Sequence, residues 1–297
     1  MMSNGIEEYL KQLRKELAGC DSATIRDALA DAEEHLRTAL DQSLKNRPEL
    51  SEADALKSIM DEYGAPPEIA SAYREVEARI APPLAPRNKP NGRSAIERFF
   101  GVFLDPRAYA ALFYMFFSLI TGIIYFTWAV TGLSLCAGFA VLIIGLPFFA
   151  LFLLSIQGIA LVEGRIIEAL LGVRMPRRPV FNPEHLGIWG RFKILVSDKR
   201  SWAPMVYMIV MLPLGIVYFT LFVVFLTFGL YGIGWPIMEN VFDIPFIETT
   251  HYVVYTPGWM MPLFIIVGIL WILVTMHLAK LLGRAHGALA KALLVKE

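Results

Sequence analysis

Residues 203–229 read APMVYMIVMLPLGIVYFTLFVVFLTFG, 27 positions without one charged side chain. A helix needs roughly 20 apolar residues to cross a bilayer. The run shows no polar–apolar alternation, so helix is the spanning form it fits, with backbone groups satisfied inside the segment. Three further stretches, about 108–130, 137–161 and 259–280, share this character. Hydrophobic residues make up 56% of the 297 and charged residues 18%, outside the balance of a soluble globular domain. The opening residues are charged and helix-patterned, unlike a signal peptide. Pro147 and Pro213 fall inside spans and predict kinks, whereas Pro204 and Pro262 suit first-turn positions.

Within the quoted run stands GIVYFT (215–220), and 93 positions earlier GIIYFT (122–127). Aligning 98–134 with 191–227 makes 15 of 37 pairs identical, among them Arg98/Arg191, Asp105/Asp198, Arg107/Arg200 and Tyr114/Tyr207. A shift of 119 matches 154–170 to 273–289, and the 26-residue difference in offset is an insertion in the connection 230–258. The pattern predicts an all-α membrane protein: a small cytoplasmic helical domain, then four transmembrane helices as a tandem parallel 2+2 repeat, 96–188 and 189–297. Each unit is an interfacial segment, a helix out, a turn and a helix back, with the pseudo-symmetry axis along the membrane normal. Gly122 and Gly215 would then permit close helix approach.

Charge sets the orientation. Residues 1–80 hold 10 Lys/Arg and 17 Asp/Glu, and the remaining 217 hold 17 and 10. The connections 131–136 and 230–258 have no Lys or Arg, while 161–203 has eight. The positive-inside bias therefore places both termini in the cytoplasm of a multi-pass protein of the bacterial plasma (inner) membrane. Arg98, Arg107, Arg191 and Arg200, flanked by Phe99, Tyr109, Phe192 and Trp202, fit an anchor to lipid head groups. The C-terminal LAKLLGRAHGALAKALL reads as an amphipathic continuation of the fourth helix, lying on the membrane surface rather than acting as a docking motif.

The head, 1–80, shows four narrow amphipathic stripes. Ile6, Tyr9, Leu10, Leu13 and Leu17 mark a first helix, and Ile25, Leu29, Ala32, Leu36 and Leu40 a second. Ser51 with Asp54 caps a third that buries Leu56, Ile59, Met60 and Tyr63 and stops at Gly64. Pro66 and Pro67 open a fourth, with Ile69, Tyr73, Val76 and Ile80 on its apolar face. Residues 81–95, rich in proline and polar side chains, read as an unpacked linker.

The segments EEYLKQLRKEL, DALADAEEHL and LSEADALKSIMDEYGAPPEIASAYREV, with Gly64, Pro66 or Pro67, Glu68, Ile69 and Ala70 at the turn, resemble the HAAS family of alpha-helical bacterial signalling domains. Residues 96–290 resemble the four-helix sensor domain that often precedes bacterial histidine kinases, through Arg98-Phe99, Gly145-Leu146-Pro147 and the run from Gly164-Arg165 to Leu171-Gly172. The resemblance implies membrane signalling and brings no catalytic residue. After the fourth span about 15 residues remain, too few for a kinase module, so the expected output goes through a partner.

No phosphate-cradling loop, nucleophile elbow or zinc-helix motif is present, so neither an enzyme nor a cofactor is expected. Asp31, Glu34 and His35 share one helix and read as a solvated face rather than a metal site. Cys20 and Cys136 fall on opposite sides of the membrane, so no disulfide is expected. His277, near the inner end of the fourth span, is a lone ionisable group at membrane depth. Nucleic-acid binding is disfavoured, because the soluble part is acidic. The insertion 230–258 gathers Glu239, Asp243, Glu248 and His251 among aromatic residues with no base; these four are the candidate ligand-binding residues. The competing reading is a hairpin that merely caps the helix ends, with YVVY as a short strand. The expected function is a non-enzymatic sensor or regulator passing an outer-face or lipid-borne cue through the head. The alternative is an accessory subunit of a larger membrane complex. Expected partners are membrane lipids and a cytoplasmic or membrane protein, and a homo-oligomer is compatible with both readings.

Overall fold

Ser51, Gly64 and Pro66 punctuate the head as their chemistry dictates. The computed structural model describes residues 4–47, 49, 51–79, 82, 84–85, 94–140, 145–177 and 199–295. The head forms α1 (Asn4–Glu16), α2 (Ser22–Asn46), α3 (Glu52–Tyr63) and α4 (Pro66–Arg79). Asp21 caps α2 by accepting the Ala23 N–H at 2.9 Å, and Ser51 caps α3 by accepting that of Asp54 at 3.2 Å. Gly64, at φ 109°, ends α3 where an L side chain would be strained. Leu13, Leu17, Ala28, Ala32, Leu36, Ile59 and Ala70 form the core between the four helices.

Then come α5 (Ala95–Phe100), a 3-10 turn (Gly101–Leu104), α6 (Pro106–Phe139), α7 (Gly145–Leu171) and α8 (Lys199–Phe242). The antiparallel strands β1 (Ile247–Glu248) and β2 (Val253–Val254) precede α9 (Met261–Leu294). Among the described residues, α6 to α9 are the four helices long and apolar enough to cross a membrane. Their ends depart from expectation. α6 continues past residue 130, α8 runs through 230–242, and α7 begins at Gly145 rather than 137. Pro147 consequently sits in the first turn of α7, where its missing N–H costs no bond, as does Pro262 in α9. Pro204 falls in the second turn of α8 instead, and Pro213 lies well inside that helix.

The chain divides into two compact units, each assembled from segments distant in sequence. One comprises Met1–Ala85, Thr131–Tyr207 and Leu289–Glu297; the other comprises Pro86–Val130 and Met208–Ala288. In the first unit, Gly172 (φ 68°) ends α7 and lies against the Leu84 carbonyl. The expected unpacked linker is corrected at this end: Leu84 and Ala85 pack on the chain leaving α7, and residues 86–93 lie outside the described ones. Met175 folds back over Gly164, where a Cβ would lie 3.2 Å from its own.

In the second unit, Gly122 of α6 is pressed on Met211 of α8, Gly215 on Ser118, and the Phe116 and Phe219 rings meet at 5.8 Å. Partner numbers fall along α8 as they rise along α6, so the two helices are antiparallel. α8 and α9 are antiparallel too, through Gly229 on Ile272 and Gly232 on Gly268. α6 and α9 therefore run parallel, as Asp105 to Lys280 and Tyr114 to His286 require. The repeat predicted α6 and α8 running the same way, and this is corrected by their contacts. Sequence identity fixes which positions correspond, but glycine lets backbones touch in either direction, and the 93-residue shift exchanges the 122–211 and 118–215 contacts. Such reciprocal contacts define an axis across the helices rather than along them.

Candidate functional site

At the α8–α9 connection, continued helix carries Trp235 and Glu239 on one side, one turn apart. Glu239 is 4% exposed. Its Oε2 accepts the Trp235 indole N–H at 2.9 Å, and its Oε1 accepts the Thr256 backbone N–H. The buried carboxylate therefore latches the returning strand onto α8. Asp243, at φ 55°, ends α8 and faces the Tyr255 hydroxyl, while Glu248 and His251 are exposed on the hairpin. The structure thus separates the four predicted residues into a latch (Glu239), a helix terminator (Asp243) and two exposed hairpin positions. Glu239, a candidate ligand-binding residue by sequence, is taken up in its hydrogen bonds with Trp235 and Thr256. YVVY does supply a strand, through Val253 and Val254. Phe246 bridges Trp235 (5.5 Å) and Phe264 (6.4 Å), which fixes the hairpin on both helices.

Deeper in the same unit, His286 is 1% exposed. Its Nε2 lies 2.7 Å from the Tyr114 hydroxyl, and its Nδ1 3.4 Å from that of Tyr218. Both ring nitrogens face a phenol, an arrangement that a neutral imidazole, one donor and one acceptor, can satisfy. The helix continues unbroken through this segment, as its pattern predicts, with Ala279, Gly283, His286, Gly287 and Ala290 buried; the sequence reading missed His286 itself. That small-residue stripe was the available signal. His277 Nε2 meets the Phe99 carbonyl at 3.1 Å, and its ring stacks on Phe99. Lys280 pairs with Asp105 at 2.6 Å. Burial works to raise the Asp105 carboxyl, but Lys280 and Arg107 outweigh it and hold the group below its usual range.

In the other unit, the head meets chain ends through charge. Lys291 pairs with Asp21 at 2.5 Å, and Arg26 donates to the Leu294 carbonyl. The Arg177 backbone N–H donates to both Asp27 oxygens, at 2.8 and 3.0 Å, and the Arg177 guanidinium pairs with Glu168 at 3.3 Å. Arg165 pairs with the same Glu168, which is mostly buried. Further along α7, buried Glu163 accepts the Tyr207 hydroxyl at 2.9 Å. Asp21 and Asp27, two acids of α2 and its cap, thus hold the final turns of α9 and the strap after α7.

The remaining sequence candidates do not converge. Asp31 accepts the Tyr73 hydroxyl at 2.6 Å while His35 stacks on Tyr63, and no group able to hold a metal occurs among the described residues. Cys20 and Cys136 are free thiols, and burial, then Glu77, pushes the Cys20 thiol up. Of the four interfacial arginines, Arg107 donates its backbone N–H to Asp105; Arg191 lies outside the described residues, as do the side chains of Arg98 and Arg200.

Four apolar helices of membrane-crossing length follow a four-helix head, the make-up of a membrane protein. Residues 114–294 match the family model described as “Putative sensor”, and residues 8–72 match that of HAAS. The chain belongs to the sensor family and carries a HAAS domain ahead of the sensor region. No curated protein and no solved structure matches it.

Proposed function

We propose that this protein is a non-enzymatic sensor or regulator of the bacterial plasma membrane, with the hairpin outside and the end of α9, to which the head is tethered, in the cytoplasm; α6, parallel to α9, then also runs inward. The observation that carries the reading is α9 itself. One unbroken helix starts a few residues after the base-free hairpin and ends in ion-paired contact with the HAAS-type head. The absence of Lys and Arg from 230–258 supports an outward hairpin, and Lys280, Arg284 and Lys291 support an inward C-terminal end. A displacement at the hairpin would reach Lys291 and Leu294 along a stiff element, and the head would be loosened or held accordingly. Its output is a cytoplasmic partner that binds the released head. The internal duplication supports a 2+2 origin of the membrane part, with the axis across α6 and α8.

Affinity purification from native lipid, comparing the full chain with one lacking residues 1–80, tests this reading. It predicts a soluble partner, recovered below stoichiometry and lost with the head. Recovery of a membrane complex in fixed ratio from both chains would identify an accessory subunit instead.

A further inference from the structure

Between α8 and α9, just beneath the hairpin, Gly232 and Gly268 bring the backbones together: a Cβ on Gly232 would lie 3.1 Å from the Gly268 Cα. Their missing side chains leave a cleft of about 310 Å³. Four aromatic rings line it, those of Phe228, Tyr231, Phe264 and Trp271, and almost no polar surface. Phe228, Tyr231 and Trp271 are also exposed on the flank of the helices, so the cleft opens sideways, toward lipid, rather than into a sealed core.

The hairpin is fixed at the mouth of this cleft. Trp235 stacks on Tyr231 at 5.4 Å, and Phe246 packs on Phe264, so two lining rings also carry the hairpin. The hairpin that Phe246 anchors on Phe264 carries Asp243 and Glu248, with His251, and from 230 to 258 there is no Lys or Arg. Aromatic faces attract organic cations through the ring quadrupole, and quaternary ammonium groups are recognised this way. Carboxylates with no Lys or Arg beside them repel anionic lipid head groups and favour a cation. Shape, chemistry and charge therefore select the same occupant.

We propose that the cleft binds an amphiphilic organic cation from the membrane, its apolar tail between α8 and α9 and its ammonium group at the rim, between the Tyr231 and Trp235 rings and the hairpin carboxylates. Neutral and anionic amphiphiles of equal length share only the tail contact. This deepens the sensing function proposed above by naming the class of cue, and rests on its outward placement of the hairpin.

The test uses full-length protein in nanodiscs of zwitterionic lipid and a long-chain alkyltrimethylammonium with a diazirine in its tail. Photolabel mapped by mass spectrometry should concentrate in peptides covering 228–232 and 264–271. Unlabelled ammonium should suppress it, and the alcohol or sulfate of the same chain should not. Tyr231→Leu, which keeps an apolar wall and removes the ring face at the rim, should weaken labelling about fivefold or more, and Asp243→Asn with Glu248→Gln should weaken it with the cleft intact. Equal suppression by the alcohol, or label spread over all lipid-facing residues, would overturn the proposal. Binding is read here without any output, so its failure leaves the partner experiment on the head standing, and failure of that experiment leaves this one standing.

Discussion

Gly122 and Gly215 make reciprocal contacts: a Cβ on Gly122 would lie 2.8 Å from the Met211 carbonyl oxygen, and one on Gly215 2.6 Å from that of Ser118. The obstacle in each case is backbone, which cannot rotate away, so the helices must separate. Gly122→Ala and Gly215→Ala are each expected to lower stability by about 1–3 kcal/mol. Gly158→Ala, with nothing within 4 Å of its Cβ, should be neutral or stabilising through helix propensity. Thermal unfolding in detergent measures all three, and equal losses at the first and last would refute the close approach.

The direction of α6 against α8 is open to a crosslink. With Cys20 and Cys136 replaced by Ser, Phe116→Cys with Phe219→Cys should join readily, because these rings touch. Phe116→Cys with Ile209→Cys, the position 93 residues on, should not. The reverse result would restore the parallel repeat, and with it the one-sided placement of Arg98, Arg107, Arg191 and Arg200.

Tyr114 and His286 should be energetically coupled. Tyr114→Phe removes one partner of a buried imidazole, at a cost of about 1–2 kcal/mol. In a double-mutant cycle with His286→Leu the coupling should be about 0.5–2 kcal/mol. Additive effects would show that the 2.7 Å contact carries no energy.

The head has its own pH signature. Tyr9 donates to the Gly64 carbonyl at 2.8 Å, and burial, then Tyr63 and Glu68, push its phenol from 10.0 to about 12. The folded state therefore holds the proton longer than the unfolded state. The contribution is complete below pH 10 and is lost as pH rises from about 10 to about 12. Tyr9→Phe should be less stable near neutrality and should flatten this part of the stability profile. An unchanged alkaline slope in Tyr9→Phe would contradict the assignment.

Much of this was legible in the residues. Charge-free runs announced the four helices, and Ser51, Gly64 and Pro66 announced the boundaries of α3 and α4. Helix ends were harder, because bilayer thickness sets where a span could stop and not where the helix does. Gly232, Gly234 and Pro236 look like a turn in sequence, yet the apolar setting keeps their backbone helical. Glu239 read as a free acid since nothing in sequence shows the Thr256 N–H arriving from 17 residues on. His286 was hidden because a lone histidine between two glycines and alanines resembles a surface position until Tyr114 and Tyr218 are seen around it. The pairing of Asp21 and Asp27 with Lys291 and Arg177 spans 270 and 150 residues, beyond any local pattern.

In the function proposed above, α9 carries a change at the hairpin to the head. Hydrogen exchange over residues 21–28, in the full chain in nanodiscs, tests it most directly. Lys291→Glu removes the tether and should speed exchange there. Glu239→Gln, which weakens the latch on Thr256 and leaves the head untouched, should speed exchange over the same residues. Faster exchange in Lys291→Glu with no change in Glu239→Gln would show that the head is tethered but receives nothing from the hairpin.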